Sequence, residues 1–121
     1  MSTRRKLLTR EQRQESILRG AAAAFAKAGF DGTSMEDVAD ASGITRLIVY
    51  RNFASKEEVY RSVLERVATR LGEEFESAAT AVQPLLTVAR EDPDAFRLLW
   101  VHAAHEPQFA AYAATFREAV V

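Results

Sequence analysis

The chain has 121 residues, of which 48% are hydrophobic and 27% charged, and its formal net charge is −1. This composition is typical of one globular domain and excludes an intrinsically disordered chain. The absence of cysteine excludes disulfide bonds, thiolate zinc sites and a thiol nucleophile. No apolar stretch reaches the roughly 18 residues of a membrane span, and none follows the basic start as in a secretory signal, so we expect a soluble, cytoplasmic protein.

The charge is unevenly distributed along the chain. Residues 1–72 carry 13 Lys/Arg against 9 Asp/Glu, whereas residues 73–121 carry 3 against 8. Between Asp40 and Glu57 there is no acidic residue, but there are three basic ones. A charge run is more often a solvated surface than a binding site, but this asymmetry is also typical of a front part that faces a polyanion.

The hydrophobic periodicity is helical through most of the chain. The first helix is predicted to begin at Thr9, where Gln12 completes a T-x-x-Q capping box. Gly29 is predicted to end it, because glycine adopts the left-handed conformation without a steric penalty. Its apolar face should carry Ile17, Ala21, Ala24, Phe25 and Ala28.

A short second helix is predicted after the turn at 30–32. Thr33 and Glu36 form its expected capping box, and Ser42-Gly43 should end it after barely two turns. Its apolar stripe is Met35, Val38 and Ala39.

A third and a fourth helix follow. Thr45 is predicted to cap the third, with a hydrophobic staple between Ile44 and Val49, and Ser55 with Glu58 opens the fourth. The fourth is long, and its seam at i+4 spacing is Val59, Val63, Val67, Leu71 and Phe75.

The signals after residue 77 are weaker. A helix is predicted from about Pro84 to Arg90, and a second from Asp92-Pro93, where proline at the first helical position loses no hydrogen bond. Pro107 is predicted to start the last one. The apolar residues of these last two helices are Phe96, Leu99, Trp100, Ala103, Phe109, Tyr112 and Phe116.

The second and third helices are joined by a short turn that contains Gly43, which is the arrangement of a helix-turn-helix. In such a unit one helix fits the major groove of B-DNA and the helix before it braces against the backbone. The same turn also builds the corner of a plain helical bundle, so the turn alone leaves both interpretations open.

The outer surface of the third helix favours DNA. Val49 and Phe53, spaced i and i+4, can face the core together. The other residues of the helix are then left on or near its outer surface. On such a surface arginine can bind guanine, aliphatic side chains can contact thymine methyl groups, and tyrosine can hydrogen-bond a phosphate. A lysine at the start of the next helix adds a positive charge. The free backbone N–H groups of that helix start can also bind a phosphate. The residues on or near the outer surface of the third helix are Arg46, Leu47, Ile48, Tyr50, Arg51 and Asn52, although Leu47 and Ile48 also suit an extra core contact. Lys56, in the next helix, is expected to point its charge at the same place.

A longer pattern runs through this region. It comprises 17–22 (ILRGAA), 25–30 (FAKAGF), 33–39 (TSMEDVA), 42–44 (SGI), 49–53 (VYRNF) and 55–60 (SKEEVY). With these motifs the stretch from Arg13 to about Val67 resembles the DNA-binding domain of TetR-type (tetracycline-repressor-like) transcriptional regulators. So many matches in one order over nearly half the chain are not expected by chance.

The resemblance implies a ligand-responsive transcriptional regulator, expected to be a repressor. It would bind a near-palindromic operator in double-stranded DNA as a homodimer, with the helix from Thr45 as its recognition helix. An unknown small-molecule effector in the C-terminal body would release the DNA. The resemblance also implies contacts to the DNA backbone from Thr33, Ser34, Thr45, Tyr50 and Lys56. It implies contacts to bases from Arg46, Leu47 and Ile48, although the family commonly has a small residue where this sequence has Leu47.

We therefore predict an all-α fold in two parts. Residues 9–54 form a three-helix helix-turn-helix unit, and residues 55–121 form a linking helix with part of a helical effector and dimerisation domain. Members of the family are generally much longer and commonly dimerise through two late helices that this sequence lacks. We accordingly expect the 121 residues to be an incomplete chain.

The aromatic residues of the C-terminal part are most simply core residues. In a TetR-like body such side chains often also line the effector pocket. The candidate effector-binding residues are Phe96, Trp100, His102, Phe109, Tyr112 and Phe116. His102 and His105 beside Glu106 could offer ligands to a metal, but no further His or Cys completes a site, so we expect neither metal nor cofactor.

Two other functions compete with DNA binding for this sequence. A TetR-like helical module could act through protein contacts alone, but such a module does not need the basic, tyrosine-bearing third helix. An enzyme is not expected, because the sequence offers neither an activated nucleophile with its base nor a phosphate-binding glycine loop.

Overall fold

The computed structural model describes residues 8–80, 82–107, 109–111 and 114. Over these residues the chain is helical and contains no β-strand, in agreement with the predicted all-α class. A π-helical turn, Leu98–His102, and a 3₁₀ turn, Ala103–His105, directly follow the helix that ends at Arg97. No helix in the described ranges is long and apolar enough to cross a membrane. The helices are α1 Arg10–Ala28, α2 Met35–Ser42, α3 Arg46–Asn52, α4 Lys56–Glu76, α5 Val82–Glu91 and α6 Pro93–Arg97.

The predicted start and end of α1 are confirmed. The Thr9 hydroxyl accepts from the Gln12 backbone N–H at 3.0 Å, and the Gln12 side chain accepts from the Thr9 N–H at 3.0 Å. Gly29 follows α1 at the predicted place, and its N–H donates to the Phe25 carbonyl, but with φ 83° and ψ 170° it does not take the predicted left-handed helical conformation. Few residues other than glycine adopt this φ, so the sequence fixes both ends of α1 locally.

The predicted cap of α2 is wrong by one residue. Ser34, not Thr33, is the N-cap, and its capping box is completed by Asp37 rather than Glu36. At the other end Gly43 takes the left-handed conformation, with φ 71° and ψ 29°, as predicted. The buried stripe of α2 is also as predicted.

The caps of α3 and α4 use the predicted residues. The Thr45 hydroxyl accepts from the Ile48 N–H at 3.3 Å, and the Ser55 hydroxyl accepts from the Glu58 N–H at 3.1 Å. The Glu58 carboxylate accepts from the N–H of Ala54 at 2.7 Å, one residue before the N-cap, so the predicted box at Ser55 is only half formed.

One hydrophobic core extends from Ile17 to Phe109. The predicted seam of α4 is confirmed, with Phe75 half-buried at its end. α4 also buries Tyr60 and Leu64, because it packs against α1 on one side and against α5 and α6 on the other.

The buried face of α1 is wider than predicted, and it does not include all of the predicted residues. Leu18 and Ala22 are buried, whereas Ala24 is half-buried and Ala28 is exposed. α1 contacts α2, α4 and α6, and a helix with three neighbours cannot be described by one stripe. Its contact with α2 is close at Gly20, where a Cβ atom would lie 2.5 Å from the Ser42 hydroxyl oxygen.

The C-terminal helices agree with the prediction only in part. α5 begins two residues before Pro84, and Pro93 is the first residue of α6 as predicted. Asp92 makes no side-chain capping hydrogen bond, because its carboxylate accepts from Arg66 instead. The predicted helix from Pro107 falls largely outside the described residues.

Candidate nucleic-acid interface

α3 is held by one side only. Val49 is fully buried and Phe53 is 5% exposed, while Ile44 packs half-buried against the same core. The Phe53 N–H donates to the Val49 carbonyl at 2.9 Å and ends the helix. These contacts fix the orientation of a helix of seven residues, which would not be stable alone.

The other side of α3 faces solvent. Leu47 is 60% exposed and Tyr50 is 49% exposed. Arg46 and Arg51 are exposed as well. The predicted outward face is therefore confirmed for these four residues, which combine two cations, an aliphatic group and a phenol.

Two residues predicted on this face are half-buried instead. The Asn52 amide donates to the Ile48 carbonyl at 2.9 Å, which ties the side chain to its own helix. Ile48 lies at the edge between the core side and the exposed side of α3. Both residues border the outward face rather than stand on it.

A cleft of about 470 Å³ opens beside Tyr50. The N-terminal ends of α2 and α4 meet at this cleft, and helix N-termini attract anions through their N–H groups and dipole. Lys56 is the cation among the residues that line it. The lining comprises Asp31, Gly32, Thr33, Ser34, Met35, Asp37, Tyr50, Ala54, Ser55 and Lys56.

The ammonium of Lys56 is positioned by Phe30. Lys56 Nζ donates to the Phe30 carbonyl oxygen at 2.8 Å and lies 4.3 Å from the centroid of the Phe30 ring. One hydrogen bond uses one of the three ammonium donors. The group is therefore oriented and still able to bind an anion in the cleft.

Two acidic residues, Asp31 and Asp37, also line the cleft. The backbone N–H of Ser34 donates to the Asp37 carboxylate at 2.9 Å. This bond, together with the hydrogen bonding of the Ser34 side chain, lowers the pKa of Asp37 below its ordinary 3.8. Asp37 is thus charged at neutral pH, and Asp31 adds a second carboxylate nearby.

Thr33 does not offer its hydroxyl to the cleft. The side chain is 2% exposed, and its hydroxyl donates to the Gly29 carbonyl at 2.7 Å, with the Ala24 carbonyl at 3.3 Å. The hydroxyl thereby joins α2 to the end of α1. The Thr33 hydroxyl is thus buried and bonded to an internal acceptor, and its expected contact with the DNA backbone stays a prediction.

The candidate effector residues are divided between two places. Phe109 is 2% exposed and stacks on Tyr60, with centroids 4.5 Å apart, in a cluster that includes Phe25 and Phe30. The structure thus gives Phe109 a position in the hydrophobic core.

A second aromatic pair belongs to the C-terminal part. The rings of Phe96 and Trp100 stack with centroids 5.8 Å apart and an angle of 6°. Trp100 and His102 are half-buried. Tyr112 and Phe116 lie outside the described residues, so their predicted role stays a prediction.

Two features of the region were missed by sequence reasoning. The contact between Phe30 and Lys56 joins residues 26 positions apart, and no local spacing indicates it. The Tyr60 hydroxyl is buried and has no hydrogen-bond partner among the described residues. Burial, with a smaller contribution from the charge of Glu106, raises the pKa of Tyr60.

The pair of histidines does not become part of a metal cluster in the described residues. His105 is exposed and His102 is half-buried. Within the described ranges, no group of three or more His, Asp or Glu side chains is arranged to hold a metal ion.

Comparison with known proteins identifies the helix-turn-helix. Residues 17–63 match the model of the bacterial regulatory proteins, tetR family. The HTH-type transcriptional activator FasR of Mycolicibacterium smegmatis is 27% identical over an alignment of 124 positions, which spans 93% of this chain and 57% of FasR. The HTH-type transcriptional repressor KstR2 of Mycobacterium tuberculosis is 42% identical over 52 residues, 43% of this chain and 26% of KstR2. The chain thus spans from about a quarter to a little over half the length of these relatives.

Solved structures show the same fold. The superantigen PfiT superposes with a TM-score of 0.58 at 22% identity, over 93% of this chain and 66% of that chain. A protein described as a TetR-family regulator from Mesorhizobium loti superposes with a TM-score of 0.51 at 24% identity, over 91% and 62%. The matched family segment runs from α1 into α4 and includes α2 and α3 with the outward face described above. Over residues 17–63, the chain is thus similar to the tetR family of bacterial regulatory proteins.

Proposed function

We propose that the protein containing this chain is a ligand-responsive transcriptional regulator, a repressor, that binds a near-palindromic operator in double-stranded DNA as a homodimer. The observation that carries the proposal is the outward face of α3. Val49 and Phe53 bury one side of the helix in the core. The other side exposes Arg46, Leu47 and Tyr50. A helix oriented in this way has the shape and the donors to enter a major groove.

Phosphate contacts would position the domain without reading sequence. We assign them to the cleft beside α3, where Tyr50 and Lys56 supply a hydroxyl and a cation. Ser34 and Thr45 contribute at the N-terminal ends of α2 and α3. Thr33 is left out of this set, because its hydroxyl is buried and bonded to Gly29.

Base contacts would come from the first turn of α3, since the N-terminal residues of a recognition helix approach base edges most closely. We assign them to Arg46, Leu47 and Ile48. The 60% exposure of Leu47 supports a contact with a thymine methyl group, because an aliphatic side chain gains by leaving water. Arg51 and Asn52 lie one turn further along and would contact the adjacent backbone.

The remaining residues, 55–121, would connect this unit to dimerisation and effector binding. Phe96, Trp100 and His102 remain the candidate effector contacts within the described residues. FasR is named an activator and KstR2 a repressor, so both directions of regulation occur among the relatives. We retain repression because it requires only occupancy of the operator, and we expect the protein to meet its DNA in the cytoplasm.

Selection of bound sequences from a random duplex pool tests the proposal. The expected result is enrichment of two similar half-sites in inverted orientation, with centres about one helical turn, roughly 10 bp, or a multiple of it apart. Arg90→Ala, which removes an exposed cation on α5, is the control and should enrich the same sequences as the wild type. A pool that stays unenriched would contradict sequence-specific DNA binding, and enrichment of one half-site without symmetry would contradict the homodimer.

A further inference from the structure

The ring of Phe30 lies between the phosphate cleft and the C-terminal part of the chain. On one side the Lys56 ammonium sits 4.3 Å from the Phe30 ring centroid. On another, the Phe109 ring meets the Phe30 ring edge-on, with centroids 5.5 Å apart. Phe109 follows the 3₁₀ turn and is 79 positions beyond Phe30 in the sequence. A single aromatic ring thus connects the C-terminal part to the lysine of the cleft.

We propose that Phe109, acting through Phe30, positions the Lys56 ammonium for a DNA phosphate, so that the segment after α6 is coupled to DNA binding. This inference rests on the proposed function, since it assumes that Lys56 contacts a phosphate. It makes Phe30 and Phe109 positioning residues rather than contacts to DNA. Both are buried, at 4% and 2% exposure, so neither can reach the duplex.

The packing of the rings leaves Phe30 little freedom to move by itself. Tyr60 contacts Phe30 edge-on at 5.2 Å and stacks on Phe109 at 4.5 Å, so the three rings contact one another in pairs. Close-packed cores respond to a change in one side chain by shifting its neighbours. Removal of the Phe109 ring should therefore displace the Phe30 ring.

The position of Phe30 matters to Lys56 for two reasons. A lysine side chain has many rotamers, and a free ammonium loses that freedom when it binds an anion. The Phe30 carbonyl and ring hold the ammonium at the cleft before any anion arrives. Loss of this arrangement should weaken phosphate binding, although the charge itself remains.

The backbone gives Phe109 a defined place. Its N–H donates to the Glu106 carbonyl at 2.8 Å, in the turn that follows Ala103–His105. A rearrangement of that turn would move the Phe109 ring relative to Phe30. The coupling therefore has a physical route from the C-terminal part to the cleft through the Phe30 ring.

A double-mutant cycle tests the proposal with fluorescence anisotropy, using a labelled duplex of mixed sequence and about 30 bp at low salt. We expect Phe109→Leu to lower affinity about two- to fivefold, the range of one exposed cation–π contact. In the Lys56→Met background the same substitution should have no effect, because the group through which it acts is gone. An equal effect of Phe109→Leu in both backgrounds would overturn the proposal, and so would tighter binding by the single variant.

Phe75→Leu is the matched control, because it replaces a half-buried ring near the C-terminal end of α4, 19 positions from Lys56 on the same helix. It should leave affinity unchanged in both backgrounds. Thermal unfolding of each variant verifies that it is folded. If Phe109→Leu does not fold, Phe109→Met retains the apolar volume without the ring and makes the same test.

A second readout uses no DNA. In the folded chain the Phe30 ring should shift the NMR signals of the Lys56 ε-methylene protons upfield through its ring current. We expect Phe109→Leu to move these signals toward the values of a free lysine, and Phe75→Leu to leave them in place. Unchanged Lys56 signals in Phe109→Leu would refute the coupling itself. Failure of the wild-type chain to bind duplex would instead refute the proposed function, so the two failures are distinguishable.

Discussion

Arg66, in α4, donates a hydrogen bond of 2.5 Å to Asp92, the residue that precedes α6. The same guanidinium donates a second hydrogen bond, of 2.9 Å, to Glu15 in α1. One side chain therefore joins the first helix of the DNA-binding unit to the C-terminal helices. Burial disfavours the charge of Arg66, but the hydrogen bonds to Asp92 and Glu15 outweigh it and raise the pKa of Arg66.

The substitution Arg66→Met should change how the free energy of unfolding depends on pH. The hydrogen bond from Arg66, and then its charge, lowers the pKa of Glu15 below the ordinary 4.5. A carboxyl whose pKa is lower in the folded state stabilises that state above the unfolded pKa, and this stability is lost as pH falls through the folded pKa. We expect the destabilisation by Arg66→Met to be largest near neutral pH and to shrink as the pH falls below 4.5.

Urea unfolding of wild type and Arg66→Met across this pH range measures the effect. Arg61→Met, an exposed arginine on the same helix, is the control and should change stability little at any pH. A difference between wild type and Arg66→Met that is constant with pH would contradict the ion pair with Glu15.

Gly20→Ala should loosen the packing of α1 on α2. The added Cβ would lie 2.5 Å from the Ser42 hydroxyl oxygen and 3.0 Å from backbone atoms of Ala41. Overpacking of this kind costs about 1–3 kcal/mol. Gly72→Ala is the matched control on α4, where nothing lies within 4 Å of the new Cβ, and it should stabilise the chain by about 0.5–1 kcal/mol. Equal effects of the two substitutions in chemical denaturation would argue against the close approach at Gly20.

Thr33→Val tests whether this side chain is structural. The substitution keeps the shape but removes the hydroxyl that donates to the Gly29 carbonyl at 2.7 Å. We expect a loss of about 1 kcal/mol in the free energy of unfolding, because one buried hydrogen bond is lost. The salt dependence of duplex binding should be the same as in wild type. Weaker binding without a loss of stability would return Thr33 to the DNA-contacting set.

Local signals in the sequence predicted the helix ends well. The caps at Thr9, Thr45 and Ser55 depend on hydrogen bonds between residues three positions apart. The end of α2 depends on the left-handed conformation of one residue, Gly43. The cap of α2 could not be assigned this way, because Thr33 and Ser34 both precede an acidic residue at the correct spacing. Contacts of Thr33 with α1 decide between them, and those contacts are tertiary.

The candidate site shows the same division. The outward face of α3 followed from the spacing of Val49 and Phe53. The contact of Lys56 with Phe30 and the burial of Phe109 against the same ring join distant parts of the sequence. The hydrophobic periodicity of the sequence does not predict contacts between such distant residues. The contacts that hold Lys56 are therefore seen only in the folded chain.

Substitutions in the first turn of α3 should change which sequences are preferred. Arg46→Ala and Leu47→Ala each remove one proposed base contact, worth about 1–3 kcal/mol of discrimination. Repetition of the random-pool selection with each variant should give relaxed preference at one position of each half-site. Arg90→Ala provides the reference preference. Preferences identical to the reference in both variants would show that these side chains do not read bases.

The salt dependence of duplex binding in Lys56→Ala tests the central claim most directly. The slope of log affinity against log salt reports the number of phosphates neutralised, at about 0.9 per contact in B-DNA. We predict that Lys56→Ala flattens this slope by about one unit and weakens binding to all duplexes similarly, whereas Arg90→Ala leaves the slope unchanged. Affinity and slope equal to wild type in Lys56→Ala would contradict the placement of DNA at α3 and its cleft.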